Sequence, residues 1–183
     1  MNRTTDPNPK PSVLACDPSM RAWGWVVLTP EGIVLDSGCI ETLPNTNKTN
    51  IRKGDDRIRR ISELNVQLLS IIDEHNVRLV VSEQPHGSQS ASAAVMIGIT
   101  AGIMQTICDC FSIPIEWYTE GDAKKAIADK RSVAKDEMIE IAGGLYSLDW
   151  HKTKEKNRAV ADALAVHYVA MQQSQMIKMM ISI

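Results

Sequence analysis

The sequence predicts one α/β domain on a five-stranded mixed sheet, and three features of the pattern support this prediction. Strand-like runs at residues 13–17, 23–29 and 33–40 follow one another closely, which favours an antiparallel meander. Apolar residues recur every three or four positions over residues 58–72, which indicates a helix. Residues 79–83 are almost all apolar, as in a parallel strand covered on both faces. The helix therefore connects the meander to a parallel strand by a βαβ crossover.

The rest of the chain predicts one more strand and four more helices. The small and apolar residues 90–111 favour a buried helix, and residues 113–118 favour the fifth strand. Further helices are predicted over residues 122–129 and 133–145, and a final one from residue 156 toward residue 176. In an open sheet of this kind, ligands bind at the carboxyl ends of the strands.

Length and composition indicate a soluble globular protein. A chain of 183 residues with 44% hydrophobic and 23% charged residues fits a single domain, which we assign to residues 12–183. The polar, proline-rich residues 1–11 predict a disordered tail. We find no secretory signal and no apolar run long enough to span a bilayer, and the four cysteines fit reduced thiols. We therefore expect a cytoplasmic protein without a membrane segment.

Three acidic residues stand where three carboxylates could meet. Asp17 ends the first strand, Glu83 ends the fourth, and Asp162 lies in the apolar run 159–166 of the last helix. Carboxylates are rarely buried without a partner, because removing their charge from water is costly. Clustered carboxylate oxygens suit a hard divalent ion such as Mg²⁺, which supports phosphodiester chemistry.

This order of elements and acids resembles the RNase H-like nuclease superfamily and, within it, the RuvC family of Holliday junction resolvases. The resemblance covers about residues 12–172. The segments that carry it are 17–19 with 23–25, 81–84, 115–118 leading to Lys124, 132–135 and 161–166.

The resemblance implies a catalytic site and a substrate. Asp17, Glu83 and Asp162 would hold one or two Mg²⁺ ions per subunit, with Mn²⁺ able to substitute. Lys124 and Lys135 match basic residues that approach the scissile phosphate. The expected activity is paired hydrolysis of phosphodiester bonds in branched DNA, especially four-way junctions, by a homodimer.

The sequence departs from the family pattern at two places. The family usually carries an Asp or His one helical turn before the last Asp, where this chain has Ala159. Glu155 or Asn157 is a candidate to replace that ligand. The family also places an aromatic wedge in the loop after the strand-four acid, and here the loop reads Pro85-His86.

Basic residues outside the acidic site are candidates for DNA binding. Although the net charge is only −2, Arg52, Lys53 and Arg57 cluster in and directly after the polar loop 44–56, and His86 lies in the loop after the fourth strand. Lys124 and Lys135 belong to the same predicted surface. The alternative for the first three is a solvated start of a helix.

The helix over residues 90–111 is the predicted dimer interface. Its small residues Ala94, Gly98, Ala101 and Gly102 would allow another backbone to approach closely. Together with Met96, Ile97, Ile103 and Met104 they form more apolar surface than one sheet face can cover. A second copy of the chain would bury the excess.

Two other functions stay open at the level of sequence. One is an RNase H-like nuclease that cuts RNA or an RNA–DNA hybrid, since contacts to a 2′-hydroxyl leave no signature in the sequence. The other is a non-catalytic nucleic-acid-binding module, which Ala159 favours. An actin-like ATPase also begins with a meander and an early Asp, but this chain is too short for two lobes and lacks a second glycine-rich phosphate loop.

Overall fold

The computed structural model describes residues 10–45 and 51–182. The tail predicted over residues 1–11 lies almost wholly outside the described residues. Among those that are described, five strands and five helices follow one another in the predicted order, and a sixth helix comes after them. The elements are β1 (Ser12–Asp17), β2 (Ala22–Leu28), β3 (Val34–Glu41), α1 (Lys53–Glu74), β4 (Val77–Glu83), α2 (Ala91–Phe111), β5 (Ile115–Tyr118), α3 (Glu120–Ala128), α4 (Lys135–Leu145), α5 (Lys154–Gln173) and α6 (Gln175–Ile181).

The five strands form one mixed sheet in the order β3-β2-β1-β4-β5. The meander β1–β2–β3 is antiparallel, while β4 pairs in parallel with both β1 and β5. The predicted βαβ crossover through α1 is therefore confirmed. Because β1 lies at the centre of the sheet, its side chains from Ser12 to Cys16 are buried on both faces.

Helices cover both faces of the sheet, and side chains of β1 alternate between the two cores. Val13 and Ala15 pack in the core that contains α3, α4 and α5. Leu14 and Cys16 pack in the core that contains α1 and α2. This period-two alternation places the carboxyl end of β1 between two rigid layers.

Gly24 brings the last long helix into direct contact with the sheet. A Cβ atom at Gly24 would stand 2.0 Å from the backbone oxygen of Ala159 in α5, a distance that no side chain can occupy. Gly24 pairs with Asp17 across the β1–β2 ladder. The contact therefore fixes α5 beside the end of β1, one helical turn before Asp162.

The apolar helix α2 is only partly covered by the rest of the chain. Ile103 and Met104 are buried against the sheet, which corrects the expectation that they contribute to surplus surface. Val95, Gly98 and Gly102 lie on its exposed side. Among the described residues, α2 is the one helix whose length and apolar composition would suffice to cross a membrane, a test that core helices of soluble proteins also pass.

The chain ends in a helix that the sequence did not predict. Ser174 ends α5 and begins α6, where its hydroxyl accepts a hydrogen bond from the Ile177 backbone at 3.1 Å. The same hydroxyl donates to Glu116 of β5 at 2.9 Å. Ile177 is fully buried, so α6 adds apolar side chains to the core on the α5 side of the sheet.

Candidate active site

Asp17 and Glu83 emerge side by side from neighbouring parallel strands. Cys16 of β1 pairs with Ser82 of β4, and the two acids are the next residues on each strand. Both side chains are half-buried. Since strand direction and register are shared, the two carboxylates lie at the same edge of the sheet.

Asp162 reaches the same edge from α5. It lines a cleft of about 420 Å³ together with Asp17, Lys135 and Ala159. The other residues that line this cleft are Ser19, Arg21, Ala22, Glu41, Leu43, Glu155 and Arg158. Glu83 is not among the residues that line this cleft, but its charge and that of Asp162 both act on Asp17, so the three predicted metal ligands come together from three different elements.

The pKa values of the three acids record their mutual crowding. Burial, followed by the charges of Glu83 and Asp162, raises the pKa of Asp17 well above its usual range. Burial and the charges of Asp162 and Glu120 raise the pKa of Glu83 to about 7. Burial raises the pKa of Asp162 to about 6, although Lys124 and Lys135 act in the opposite direction. A cluster of oxygen donors with excess negative charge is the environment that a hard divalent cation fits.

Both predicted lysines lie beside the acids. Lys124 projects from α3 with its side chain only 16% exposed, and its Nζ donates to Glu120 one turn earlier on the same helix. Burial alone would lower the pKa of Lys124, but the bond to Glu120 and the nearby charges of Asp162 and Glu83 leave it raised. Lys135 is the exposed first residue of α4 and lowers the pKa of all three acids.

The structure separates the two candidates for the ligand missing at Ala159. Glu155 is exposed and lines the cleft with Asp17 and Asp162. Asn157 instead folds onto the loop before α5, where its Oδ1 accepts from the His151 backbone N–H at 2.8 Å and its Nδ2 donates to the His151 oxygen at 3.0 Å. These two bonds hold the Asn157 amide against the loop before α5, so it is not available to a metal in the cleft.

Glu120 is a site residue that the sequence did not reveal. It opens α3 directly after the cap residue Thr119, and its Oε2 lies 3.2 Å from Nε2 of His86. Ligand atoms of Glu83, His86 and Glu120 all lie within 4.8 Å of one another. An acid in the first turn of a helix is a common stabilising feature, so its position gave no functional signal.

The basic residues around α1 divide into exposed and structural ones. Arg52 and Lys53 are exposed, and Arg57 is half-buried, while Arg52 also pairs with Asp55 at 2.7 Å. Arg60, by contrast, is a structural residue, because it donates to the backbone oxygen of Met20 at 3.0 Å. That bond ties α1 to the turn that follows Asp17.

The fold defines the class of protein to which this chain belongs. A mixed sheet in this order, covered by helices on both faces, is the RNase H-like fold. T. thermophilus RuvC in complex with a Holliday junction substrate superposes with a TM-score of 0.69 at 19% identity, covering 88% of this chain and 95% of that one. The yeast mitochondrial Holliday junction resolvase Ydc2 gives 0.62 at 10% identity, covering 96% and 85%.

Sequence comparison then gives the family. The protein-family model described as crossover junction endodeoxyribonuclease RuvC matches residues 13–170, and the chain belongs to this family. RuvC of Nitratidesulfovibrio vulgaris (strain DP4) is 25% identical over 141 residues, which cover 76% of this chain and 81% of the relative. RuvC of Protochlamydia amoebophila (strain UWE25) is 28% identical over 157 residues, covering 84% and 86%. RuvC resolvases depend on a metal and act on DNA in the cell, and the described residues contain a group able to hold a metal.

Proposed function

We propose that this protein is a structure-selective DNA endonuclease that resolves four-way junctions by paired hydrolysis of phosphodiester bonds. The observation that carries the proposal is the meeting of Asp17, Glu83 and Asp162 beside two lysines, in a chain that matches the RuvC family over residues 13–170. The nuclease domain spans residues 12–183 and works in the cytoplasm, without a membrane segment.

Asp17, Glu83 and Asp162 hold the metal in this proposal. Their donors are all carboxylate oxygens, which favours Mg²⁺ and lets Mn²⁺ substitute. A bound ion of this kind polarises the phosphate and makes water nucleophilic at neutral pH. The number of ions is one or two per subunit, and Glu155, an exposed acid that lines the cleft from α5, is a candidate further ligand.

Lys124 and Lys135 supply positive charge to the scissile phosphate. The pair with Glu120 fixes the half-buried Lys124, whereas Lys135 stands exposed at the mouth of the cleft. Lysine suits this role as a compact charge that contacts phosphate without demanding a fixed geometry. Preorganised charge where charge develops in the transition state is a large contribution to catalysis.

Arg52, Lys53, Arg57 and His86 extend the DNA surface beyond the cleft. The first three lie at the start of α1, which Arg60 ties to the turn after Asp17. His86 follows Glu83 and stands where the family places an aromatic wedge. We therefore expect it to contact the junction centre less firmly than an aromatic ring would.

The functional unit is a homodimer that pairs two α2 helices. One side of α2 is buried in the monomer core through Ile103, Met104 and Ile107. The opposite side exposes Gly98 and Gly102, where an added Cβ would meet no atom within 4 Å. A twofold dimer through this small-residue face presents two identical sites to the two symmetry-related strands of a junction.

The direct test is cleavage of a labelled four-way junction, a matched duplex and an RNA–DNA hybrid, each with Mg²⁺ and with EDTA. We expect symmetric incision of the junction that requires Mg²⁺ and is lost in Asp17→Asn, while the variant still binds junctions. Preferred cutting of the hybrid would support the RNase H-like alternative. Tight junction binding without cutting under any metal would support the non-catalytic module.

A further inference from the structure

Three potential metal ligands of different chemistry converge at the rim of the acidic site. Glu83 ends β4, His86 lies three residues later in the loop, and Glu120 begins α3 after β5. Because β4 and β5 are paired in parallel and Glu83 stands opposite Tyr118, the loop after β4 and the start of α3 lie at the same edge of the sheet. Their ligand atoms lie within 4.8 Å of one another.

The spacing of two of these donors, those of His86 and Glu120, matches a coordination shell. Nε2 of His86 and Oε2 of Glu120 are 3.2 Å apart. Two ligands bound at about 2.1 Å to one ion, with angles between about 90° and 110°, stand roughly 3.0–3.4 Å apart. Lys124 occupies the other oxygen of Glu120, which directs Oε2 toward the imidazole. An ion can therefore bind between His86 and Glu120 with little movement of either side chain.

The group carries excess negative charge, which a bound cation would neutralise. The three carboxylates of Glu83, Glu120 and Asp162 outnumber the two ammonium groups, those of Lys124 and Lys135, that act on them. His86 is exposed, so solvent ions reach the group without any rearrangement of the fold. On the α5 side of the site, by contrast, Ala159 offers no donor.

We propose that Glu83, His86 and Glu120 form a second cation site, which shares Glu83 with the proposed catalytic centre and takes Mn²⁺ or a similar transition-metal ion in preference to Mg²⁺. The preference follows from the imidazole, since Mg²⁺ favours oxygen ligands and nitrogen donors favour the later divalent ions. The inference rests on the proposed function only in that both use Glu83. It places the second ion on the β4–α3 side of Glu83.

The test is a Mn²⁺ titration followed by the electron paramagnetic resonance signal of free Mn²⁺, without DNA and with Mg²⁺ in excess. Under these conditions Mg²⁺ competes for the all-oxygen site, and the remaining Mn²⁺ binding reports the site with a nitrogen donor. We expect His86→Ala to weaken this binding by tenfold or more, and Glu120→Gln to do the same. Melting curves of each variant establish that the protein is folded.

His75 provides a matched control. Its Nε2 also lies 3.2 Å from a carboxylate oxygen, that of Asp36, but at the opposite end of β4 from Glu83. His75→Ala should leave Mn²⁺ binding unchanged. If His86→Ala binds Mn²⁺ as the parent protein does, or if His75→Ala loses as much binding as His86→Ala, the proposal is wrong.

Junction cleavage separates this inference from the proposed function. His86-dependent Mn²⁺ binding in a protein that never cuts DNA would support the cation site and contradict the nuclease. Mg²⁺-dependent cleavage in a protein whose Mn²⁺ binding ignores His86 would support the nuclease and contradict the cation site. If both hold, His86→Ala should lower the ratio of the Mn²⁺-supported to the Mg²⁺-supported cleavage rate.

Discussion

At the level of single residues, the negative charges of Asp17, Glu83 and Asp162 destabilise the folded protein when no metal is bound. In the unfolded chain their pKa values lie near 4, whereas in the folded protein that of Glu83 is about 7 and that of Asp162 about 6. Between these limits the folded state binds more protons than the unfolded state. The stability of the metal-free protein should therefore fall as pH rises from about 4 to 7.

Replacement of Asp17 by Asn should abolish cleavage yet stabilise the metal-free protein. The amide removes a buried carboxylate whose pKa is raised well above its usual range, and also its repulsion with Glu83 and Asp162. We expect a rise in Tm of a few degrees at pH 7.5 in EDTA, since each 1 kcal/mol shifts Tm by roughly 2–4 °C in a protein of this size. The difference should shrink at pH 4, where the native carboxyls are protonated.

The exposed acid Asp149 is the control for this experiment. Asp149→Asn makes the same chemical change away from the cleft and should leave both cleavage and Tm close to those of the parent protein. An Asp17→Asn variant that melts below the parent at pH 7.5 would show that the carboxylate contributes packing or hydrogen bonds that outweigh the repulsion.

The rate of junction cleavage should depend on which lysine or arginine is removed, because only some of them bring charge to the scissile phosphate. Lys124→Ala and Lys135→Ala should each slow single-turnover junction cleavage by about tenfold or more, which corresponds to about 1.4 kcal/mol in the transition state. Arg78→Ala should have little effect, because Arg78 lies near the start of β4 and lines a different cavity. Equal losses in all three variants would mean that only bulk charge matters.

Among the secondary-structure elements, the contact between β2 and α5 determines where the third acid stands. Gly24→Ala should lower the free energy of unfolding by about 1–3 kcal/mol, because the new methyl group must displace the backbone of Ala159. The shift moves Asp162 away from Asp17. We therefore expect the variant to lose cleavage even at a temperature at which urea titration shows that it is still folded.

The same substitution at Gly144 is the matched control. Gly144 lies in α4, is exposed, and has no atom within 4 Å of an added Cβ. Gly144→Ala should raise the free energy of unfolding by about 0.5–1 kcal/mol, as expected when a helical glycine becomes alanine. A destabilisation by Gly24→Ala no larger than the experimental error would show that β2 and α5 can separate without cost.

The sheet and its acids could be predicted from sequence because their signals are local. Short connections fixed the meander, and a strand covered on both faces must be apolar, so Asp17 and Glu83 stood out where apolar runs end. The contact between Gly24 and Ala159 could not be predicted, since a glycine in a strand does not identify what approaches it. Glu120 was missed because an acid after the cap residue Thr119 is explained by the helix alone.

Which side of α2 is buried also could not be predicted from the sequence. Its apolar residues lie all round the helix, so no periodicity distinguishes the buried Met104 from the exposed Val95. The short helix α6 was missed for a similar reason, because the one signal of a break is Ser174 and the residues on either side are helix formers.

At the scale of the whole molecule, dimerisation should depend on the open face of α2. Gly98→Arg places a charged side chain in the middle of that face and should yield a monomer in sedimentation at micromolar concentration, with paired incision lost. The equivalent change Gly144→Arg on α4 should leave the dimer intact. A monomeric parent protein, or a Gly98→Arg variant that still dimerises and resolves junctions, would show that α2 serves only the core.

DNA binding by the whole molecule should be strongly salt-dependent in spite of a net charge of −2. Each phosphate contact releases counterions, so the logarithm of affinity falls linearly with the logarithm of salt concentration. Removing Lys135 should reduce that slope by about 1 if it contacts one phosphate. A slope near zero in the parent protein would contradict a phosphate-lined path. Fluorescence anisotropy with a labelled junction at several salt concentrations measures both slopes.

The position of α5 also has a consequence for the protein during its synthesis. The ribosome makes all five strands before Lys154, the first residue of α5, so a nascent chain carries Asp17 and Glu83 long before it acquires Asp162. Until α5 docks, the face of the sheet that contains Val13 and Ala15 has no cover from this helix. We therefore expect a nascent chain without α5 to expose apolar surface and to leave DNA uncut. A fragment that stops at residue 150 should bind a hydrophobic dye and leave junctions uncut.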